Sequence, residues 1–145
     1  MQRFLTLMSA LAVVFAIGVA AQANLTLEDH AKIMKANAQA AGATNKAIGS
    51  AAFADAKTGV ATLRSNFTSL LAFYSAKKKD DAVSLLKGGL TQLDAVDAAL
   101  SAATPDAMAA QAAMKQFQGS CGGCHKQYRE GDNQNGFKFK ADSGL

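Results

Sequence analysis

Apolar residues recur at alternating spacings of three and four along much of this chain, and this pattern limits the fold more than any other feature. Residues at such spacings fall on one face of an α-helix, so each run predicts an amphipathic helix. Alanine is abundant and the only proline is Pro105, a composition that favours helix over strand. Three runs follow the pattern: Val60, Leu63, Phe67, Leu70 and Tyr74; Val83, Leu86, Leu90, Leu93 and Leu100, with Val96 taking up a slip; and Ala107, Ala110, Met114, Phe117, Cys121, Cys124 and Tyr128.

A weaker apolar pattern precedes these runs and predicts a first helix. Its members recur every seven residues, at Leu27, Met34, Ala41 and Ile48. Short polar or glycine-containing breaks separate the four segments, around residues 49–59, 77–80 and 102–105. Because short connections make successive helices antiparallel neighbours, the sequence predicts an all-α fold, an up-down-up-down antiparallel four-helix bundle.

Residues at the helix ends carry capping signals. Thr26 followed by Asp29 is typical of a capping box at the start of the first helix. Thr104 is a natural N-cap for the last helix, with Pro105 at the first helical position, where its missing N–H costs nothing. Gly131 is expected to end that helix.

The N-terminus has the pattern of a secretory signal peptide. Arg3 precedes an apolar run over residues 4–19, and Ala21-Gln22-Ala23 forms a small-x-small cleavage site. The alternative is an uncleaved anchor, but the run is short for a membrane span, which needs about 20 apolar residues. We expect residues 1–23 to be removed and the mature protein to be periplasmic.

The mature chain is predicted to form one domain, residues 24–131, followed by a polar, glycine-bearing tail at 132–145 that is loose or weakly docked. The whole chain carries a formal net charge of +4. This excess is too small to indicate a nucleic-acid partner, and neither a pair of carboxylates nor a nucleophile with a base is evident. The protein is therefore not expected to be an enzyme.

Cys121-Gly122-Gly123-Cys124-His125 is the Cys-x-x-Cys-His signal for covalent attachment of a c-type haem. Two thiols at this spacing on a helix can each form a thioether to a haem vinyl group, and His125 then projects toward the iron as the proximal ligand. Haem iron held by histidine is a redox or gas-binding centre. The chain has no other cysteine. We therefore expect one covalent haem c in the bundle.

Other chemistry for the cysteine pair is less consistent with its position. A thioredoxin-like pair lies at a helix N-terminus, where the helix dipole lowers the thiol pKa, whereas this pair lies near a helix C-terminus. A disulfide would close only a very small loop and leave His125 unexplained. A zinc site would need four ligands, so His30 would have to complete the set.

The chain resembles the class II cytochromes c, the cytochrome c′ family, over nearly all of residues 25–130. The attachment motif at the end of the fourth helix is followed by Tyr128 and Arg129, as in the family's pattern. In the first helix, Met34 falls on the family's distal haem position. The resemblance implies a haem inside a four-helix bundle, a periplasmic location and a homodimer.

The chain departs from the family pattern at several positions. His30 stands where the family usually has arginine, and Ala31 replaces glutamine. The link between helices two and three is only residues 77–80, where members often carry a longer segment with aromatic residues and proline. Tryptophan, which many members carry, is absent.

Met34 is the candidate distal ligand of the haem iron. It lies about 8 residues, roughly 12 Å, into its helix, and His125 lies roughly 8 Å from the end of the last helix. If these helices run antiparallel, the two side chains lie at similar depth and can enclose one haem. Met34 is then an iron ligand or a distal contact. The alternative is that it is a methionine that merely fills the core.

His30 and Arg129 are weaker candidates. His30, one turn before Met34, is expected either to contact a haem propionate or edge, or to serve as an alternative sixth ligand; the simpler interpretation is a histidine at the surface or helix end. Arg129, four residues after His125, is expected to pair with a propionate unless it is simply solvated. Gly88-Gly89 within the third helix indicates close approach of the haem or a partner helix, or an ordinary kink.

The favoured function is single-electron transfer by a periplasmic c-type cytochrome that exchanges electrons with an unidentified redox partner protein. A Met/His ligand pair raises the reduction potential and suits this role. The alternative is a five-coordinate haem that binds or buffers small gases such as nitric oxide or carbon monoxide. The remaining hypothesis is a haem-free bundle that binds a metal or a partner through its Cys and His.

Overall fold

The computed structural model describes residues 25–132, 134 and 136–145; the predicted signal peptide, 1–23, lies outside them. The described chain is mostly helical. Its elements are α1 (Leu27–Gly49), α2 (Phe53–Ala76), α3 (Asp80–Ser101), α4 (Ala107–Tyr128), β1 (Arg129–Asp132), β2 (Gly136–Phe139) and a 3₁₀ turn (Ala141–Ser143). The four predicted helices are therefore confirmed. No helix in the described part of the chain is both long and apolar enough to cross a membrane.

The helices pack in chain order, α1 on α2, α2 on α3 and α3 on α4, whereas α1 touches α4 less extensively. Apolar spacing correctly predicts the buried faces of the last three helices. All five members of the α2 run are buried, as are Leu86, Leu93 and Leu100 of α3 and Met114 and Phe117 of α4. These side chains form one continuous core.

The buried face of α1 differs from the prediction. Leu27 is 50% exposed, so its assignment to the buried seam is wrong, and of the four predicted members only Ile48 is fully buried. The buried residues are instead His30, Asn37 and Thr44, which also recur every seven residues. The helix accepts polar side chains here because each finds a hydrogen-bond partner, which offsets the cost of burial.

Those partners fix the alignment of α1 on α2. His30 Nε2 lies 3.0 Å from Tyr74 Oη, and Asn66 Nδ2 donates to Asn37 Oδ1 over 2.9 Å. The Thr44 hydroxyl donates within its own helix, to the carbonyl of Ala40 at 2.8 Å. The start of α1 therefore lies beside the end of α2.

Gly59 lies inside α2, although the sequence predicts that the break between the first two helices extends to it. A Cβ at this position would overlap the Thr44 hydroxyl. The absence of a side chain at Gly59 thus lets α1 and α2 approach closely, and the glycine marks a helix contact rather than a loop.

The starts of α1 and α4 test the two capping predictions. The predicted box at α1 is confirmed: the Thr26 backbone N donates to Asp29 Oδ2 and the Asp29 backbone N to Thr26 Oγ1, each over 3.1 Å. The predicted cap of α4 is wrong, because the helix begins at Ala107 with Asp106 as N-cap. The Asp106 carboxylate accepts from the Ala109 backbone N at 2.9 Å, which leaves Thr104 and Pro105 in the connection.

The C-terminal segment is docked rather than loose. α4 ends at Tyr128, before the predicted stop, and β1 and β2 form an antiparallel pair in which Arg129 lies opposite Phe139. Gly131 and Gly136 have positive φ values, 93° and 76°, which favour glycine in this hairpin. The Phe139 ring lies 4.8 Å from the His30 ring, between centroids. The hairpin therefore covers the end of the bundle where α1 begins.

Candidate functional site

A cavity of about 320 Å³ lies between the helices, and all four contribute to its walls. It is partly open to solvent. The wall is mainly apolar. The lining residues are Met34, Asn37, Ala38, Ala41 and Gly42 from α1; Phe67, Leu70 and Tyr74 from α2; Leu85 and Leu86 from α3; and Phe117, Gln118, Ser120, Cys121, Cys124 and His125 from α4.

α4 carries Cys121, Cys124 and His125 in its last two turns, and all three line the cavity. α4 continues through the motif because its apolar seam does: Phe117 and Cys124 are buried, and Cys121 is half-buried. Cys124 and His125 follow Cys121 by three and four residues, spacings that place both thiols and the imidazole on one wall. Met34 lines the cavity from α1.

Both cysteines are free thiols in a mainly apolar setting. Burial raises the pKa of the Cys121 thiol to about 11, and burial also raises the pKa of Cys124. Both groups are therefore protonated at neutral pH. A disulfide-exchange pair needs a lowered thiol pKa, so the electrostatics of this site do not favour a thioredoxin-like function.

Tyr74 connects the cavity to the end of the bundle. Its hydroxyl lies 3.0 Å from His30 Nε2, and its side chain lines the cavity together with Cys124. Burial raises the pKa of the Tyr74 phenol, so the group stays protonated and remains a hydrogen-bond donor. The sequence predicts Tyr74 only as a seam residue, and no periodic signal reveals the contacts of its hydroxyl.

His30 lies behind Tyr74 and does not line the cavity. Its ring packs against Phe73 and Phe139 and is only 6% exposed, so the interpretation as a surface histidine is wrong. Burial lowers the pKa of His30 to about 4, and the nearby His125 contributes in the same direction. The ring is therefore neutral at pH 7.

Arg129 begins β1 and also lies outside the cavity wall. Its guanidinium stands over the Phe137 ring, 3.9 Å from the centroid. Burial lowers the pKa of His125, and the positive charge of Arg129 adds to this effect. Arg129 thus influences the site through its charge, from the C-terminal end of α4.

The described residues contain no group of three or more His, Cys, Asp and Glu side chains that could hold a metal ion. His30 packs against aromatic rings and does not join His125 and the cysteines at the cavity, as the zinc hypothesis requires. A metal site made only from side chains of these types is therefore not supported.

Comparisons of the chain with protein-family models, with curated proteins and with solved structures give no match. The function must therefore be inferred from the cavity and its side chains.

Proposed function

We propose that the protein is an exported c-type cytochrome of the class II type, with one haem attached through Cys121 and Cys124 and with His125 as the proximal iron ligand. One observation carries the proposal: both thiols, the imidazole and the Met34 thioether line a single cavity. The two thiols and the imidazole are the groups that covalent attachment and proximal ligation of a haem require, and the mainly apolar wall suits a porphyrin.

The up-down-up-down antiparallel arrangement belongs to the same proposal. It is supported by the side-by-side packing of consecutive helices and by the contact between the start of α1 and the end of α2. Export to the periplasm follows from the signal-like residues 1–23, and haem attachment outside the cytoplasm agrees with it. A homodimer is proposed from the family resemblance alone.

The bound haem would supply one-electron chemistry, and the protein would set its potential and access. Met34 would face it from α1, and a Met/His pair raises the reduction potential. Phe67 and Phe117, whose ring centroids are 4.7 Å apart, would exclude water from one side. Single-electron exchange with a partner protein is the favoured function.

A second candidate function is the binding of small gases at a five-coordinate haem. It is favoured by the α1 wall, where Ala38, Ala41 and Gly42, which line the cavity with Met34, carry small side chains or none. The cavity would admit nitric oxide or carbon monoxide if Met34 does not ligate the iron.

Haem staining of a denaturing gel tests the covalent attachment. The protein made in cells able to attach haem should stain and should weigh more than its polypeptide by one haem, whereas the Cys121→Ala/Cys124→Ala variant should do neither. An unstained wild-type protein with two titratable thiols contradicts the proposal.

Optical spectra of the ferric and ferrous protein separate the two functions. Ligation by Met34 predicts a low-spin spectrum that becomes high-spin in Met34→Ala. Met108→Ala is the matched control, because Met108 lies on α4 and is 81% exposed. A wild-type protein that is already high-spin and binds carbon monoxide indicates the gas-binding function.

A further inference from the structure

Asn37 is an unusual side chain for the wall of this cavity. It is only 7% exposed, and its neighbours Ala38 and Ala41 on the α1 wall are small and apolar. Asn37 follows Met34 by three residues, so both lie on the same face of α1. Both line the cavity that His125 lines from α4.

Asn66 holds the Asn37 carboxamide in one orientation. Its Nδ2 donates to Asn37 Oδ1 over 2.9 Å, which fixes the oxygen toward α2. No hydrogen bond within the described residues engages Asn37 Nδ2. Every fully buried side-chain nitrogen or oxygen in the described chain has a partner, so this Nδ2 has access to open space. Since the residue is buried and lines the cavity, that space is the cavity.

We infer that Asn37 is a specificity-determining residue, whose amide N–H donates a hydrogen bond to a small polar or anionic ligand bound in the cavity on the α1 side. The inference rests on the proposed haem and concerns the face opposite His125. A donor in this position favours ligands with a negatively charged or hydrogen-bond-accepting end over apolar ones of the same size, because only the former gain the bond.

Cyanide and carbon monoxide are a suitable pair of probes, because they are isoelectronic and differ mainly in charge. The measurement uses haem-loaded protein carrying Met34→Ala, so that the haem face toward α1 is open to added ligands whether or not Met34 ligates the iron in the wild-type protein. Cyanide affinity is measured by titration of the ferric protein and carbon monoxide affinity with the ferrous protein. Asn37→Leu removes the donor at similar volume, and Gln39→Leu is the matched control, an exposed amide on α1 outside the cavity wall.

Asn37→Leu should weaken cyanide binding about tenfold or more, the effect of losing a hydrogen bond to a charged acceptor, and should change carbon monoxide affinity less than about twofold. Gln39→Leu should change neither. Asn66→Leu should weaken cyanide binding by a smaller factor, because Asn37 is then no longer held in place.

Equal loss of both affinities in Asn37→Leu, or unchanged cyanide affinity, overturns the inference. A purely structural role would lower the thermal midpoint and would not distinguish the two ligands. Failure of the proposed function is seen separately, since wild-type protein would then carry no haem in the staining experiment.

Discussion

α1 and α4 line the same cavity, yet their buried faces are built from opposite kinds of side chain. α4 buries Ala110, Met114 and Phe117 and presents its reactive residues at the end of this apolar seam. α1 buries His30, Asn37 and Thr44 at intervals of seven. The comparison teaches that α4 is held in the bundle by hydrophobic packing, whereas α1 is aligned on its neighbour by specific hydrogen bonds.

The apolar buried face of α4 should show the largest effect of a single substitution on stability. Phe117 is fully buried and packs on Phe67, so Phe117→Ala should lower the free energy of unfolding by about 3–5 kcal/mol through lost burial and a cavity. Urea denaturation followed by circular dichroism measures the change. Met108→Ala on the exposed face of the same helix should stay within about 0.5 kcal/mol. Similar losses in both variants would contradict the assigned packing of α4.

The polar buried face of α1 should show its effect on stability through pH. His30 has its pKa lowered to about 4 in the folded protein, against 6.5 ordinarily, so the unfolded chain binds the proton more readily. Stability should therefore fall as the pH drops below about 6.5 and level off below about 4, with a loss of about 2 kcal/mol between pH 7.5 and pH 5.

His30→Gln is the control for this pH effect, because glutamine retains hydrogen-bonding capacity toward Tyr74 without titrating in this range. The difference in unfolding free energy between the two proteins, measured at each pH, isolates His30 from His125, whose lowered pKa acts in the same direction. Parallel pH curves would show that His30 is not buried as a neutral ring.

Two adjacent glycines of α3 test how closely the helices approach. A Cβ at Gly89 would lie 2.6 Å from Phe67 Cε1 and 3.6 Å from Phe117 Cδ2, so Gly89→Ala should cost about 1–3 kcal/mol. A Cβ at Gly88 would be 3.8 Å from Ser120 Oγ, so Gly88→Ala should gain about 0.5–1 kcal/mol from helix propensity. Thermal unfolding of both variants measures the opposite signs, and a gain for Gly89→Ala would contradict the close contact.

The N-caps of α1 and α4 should give the smallest effects on stability. Thr26→Ala at α1 and Asp106→Ala at α4 should each cost about 1 kcal/mol, because each removes a side-chain acceptor from the first turn. Thr104→Ala, at the cap that the sequence predicts, should change stability by less than about 0.5 kcal/mol. If Thr104→Ala costs more than Asp106→Ala, α4 begins earlier than the structure indicates.

The sequence predicts most of the fold because three of the four helices bury uninterrupted apolar seams. It also predicts which residues of α4 share the cavity wall, since the motif continues that seam. The helical rise predicts that Met34 and His125 lie at similar depth, and both side chains line the cavity. Ligation of iron by Met34 stays a prediction.

The sequence does not reveal the burial of Asn37 or the hydrogen-bond partner of the Tyr74 hydroxyl, because hydropathy does not distinguish a buried polar group with a partner from an exposed one. For His30 the sequence favours a position at the surface or helix end. The residue does lie near the start of α1, but it is buried because its ring packs against Phe73 and Phe139, and Phe139 is over one hundred residues away in the chain. The hairpin was missed because its strands have only four residues each, too few for a period-two pattern to stand out.

The adjacent glycines of α3 show another limit of prediction from sequence. The pair at 88–89 was expected to mark a close approach or a kink, and only Gly89 faces the rings of Phe67 and Phe117. Which of two neighbouring glycines is crowded depends on the rotation of the helix, and that rotation is set by contacts between helices rather than by local sequence.

The docked C-terminal segment limits where a tag or label can be attached without disturbing the fold. Ser143 is buried and Leu145 packs partly against the core, so an affinity tag fused directly after Leu145 would crowd the hairpin that covers His30. Residues 102–104 are exposed and do not line the cavity. A fluorescent label or a tether to an electrode surface is better attached there.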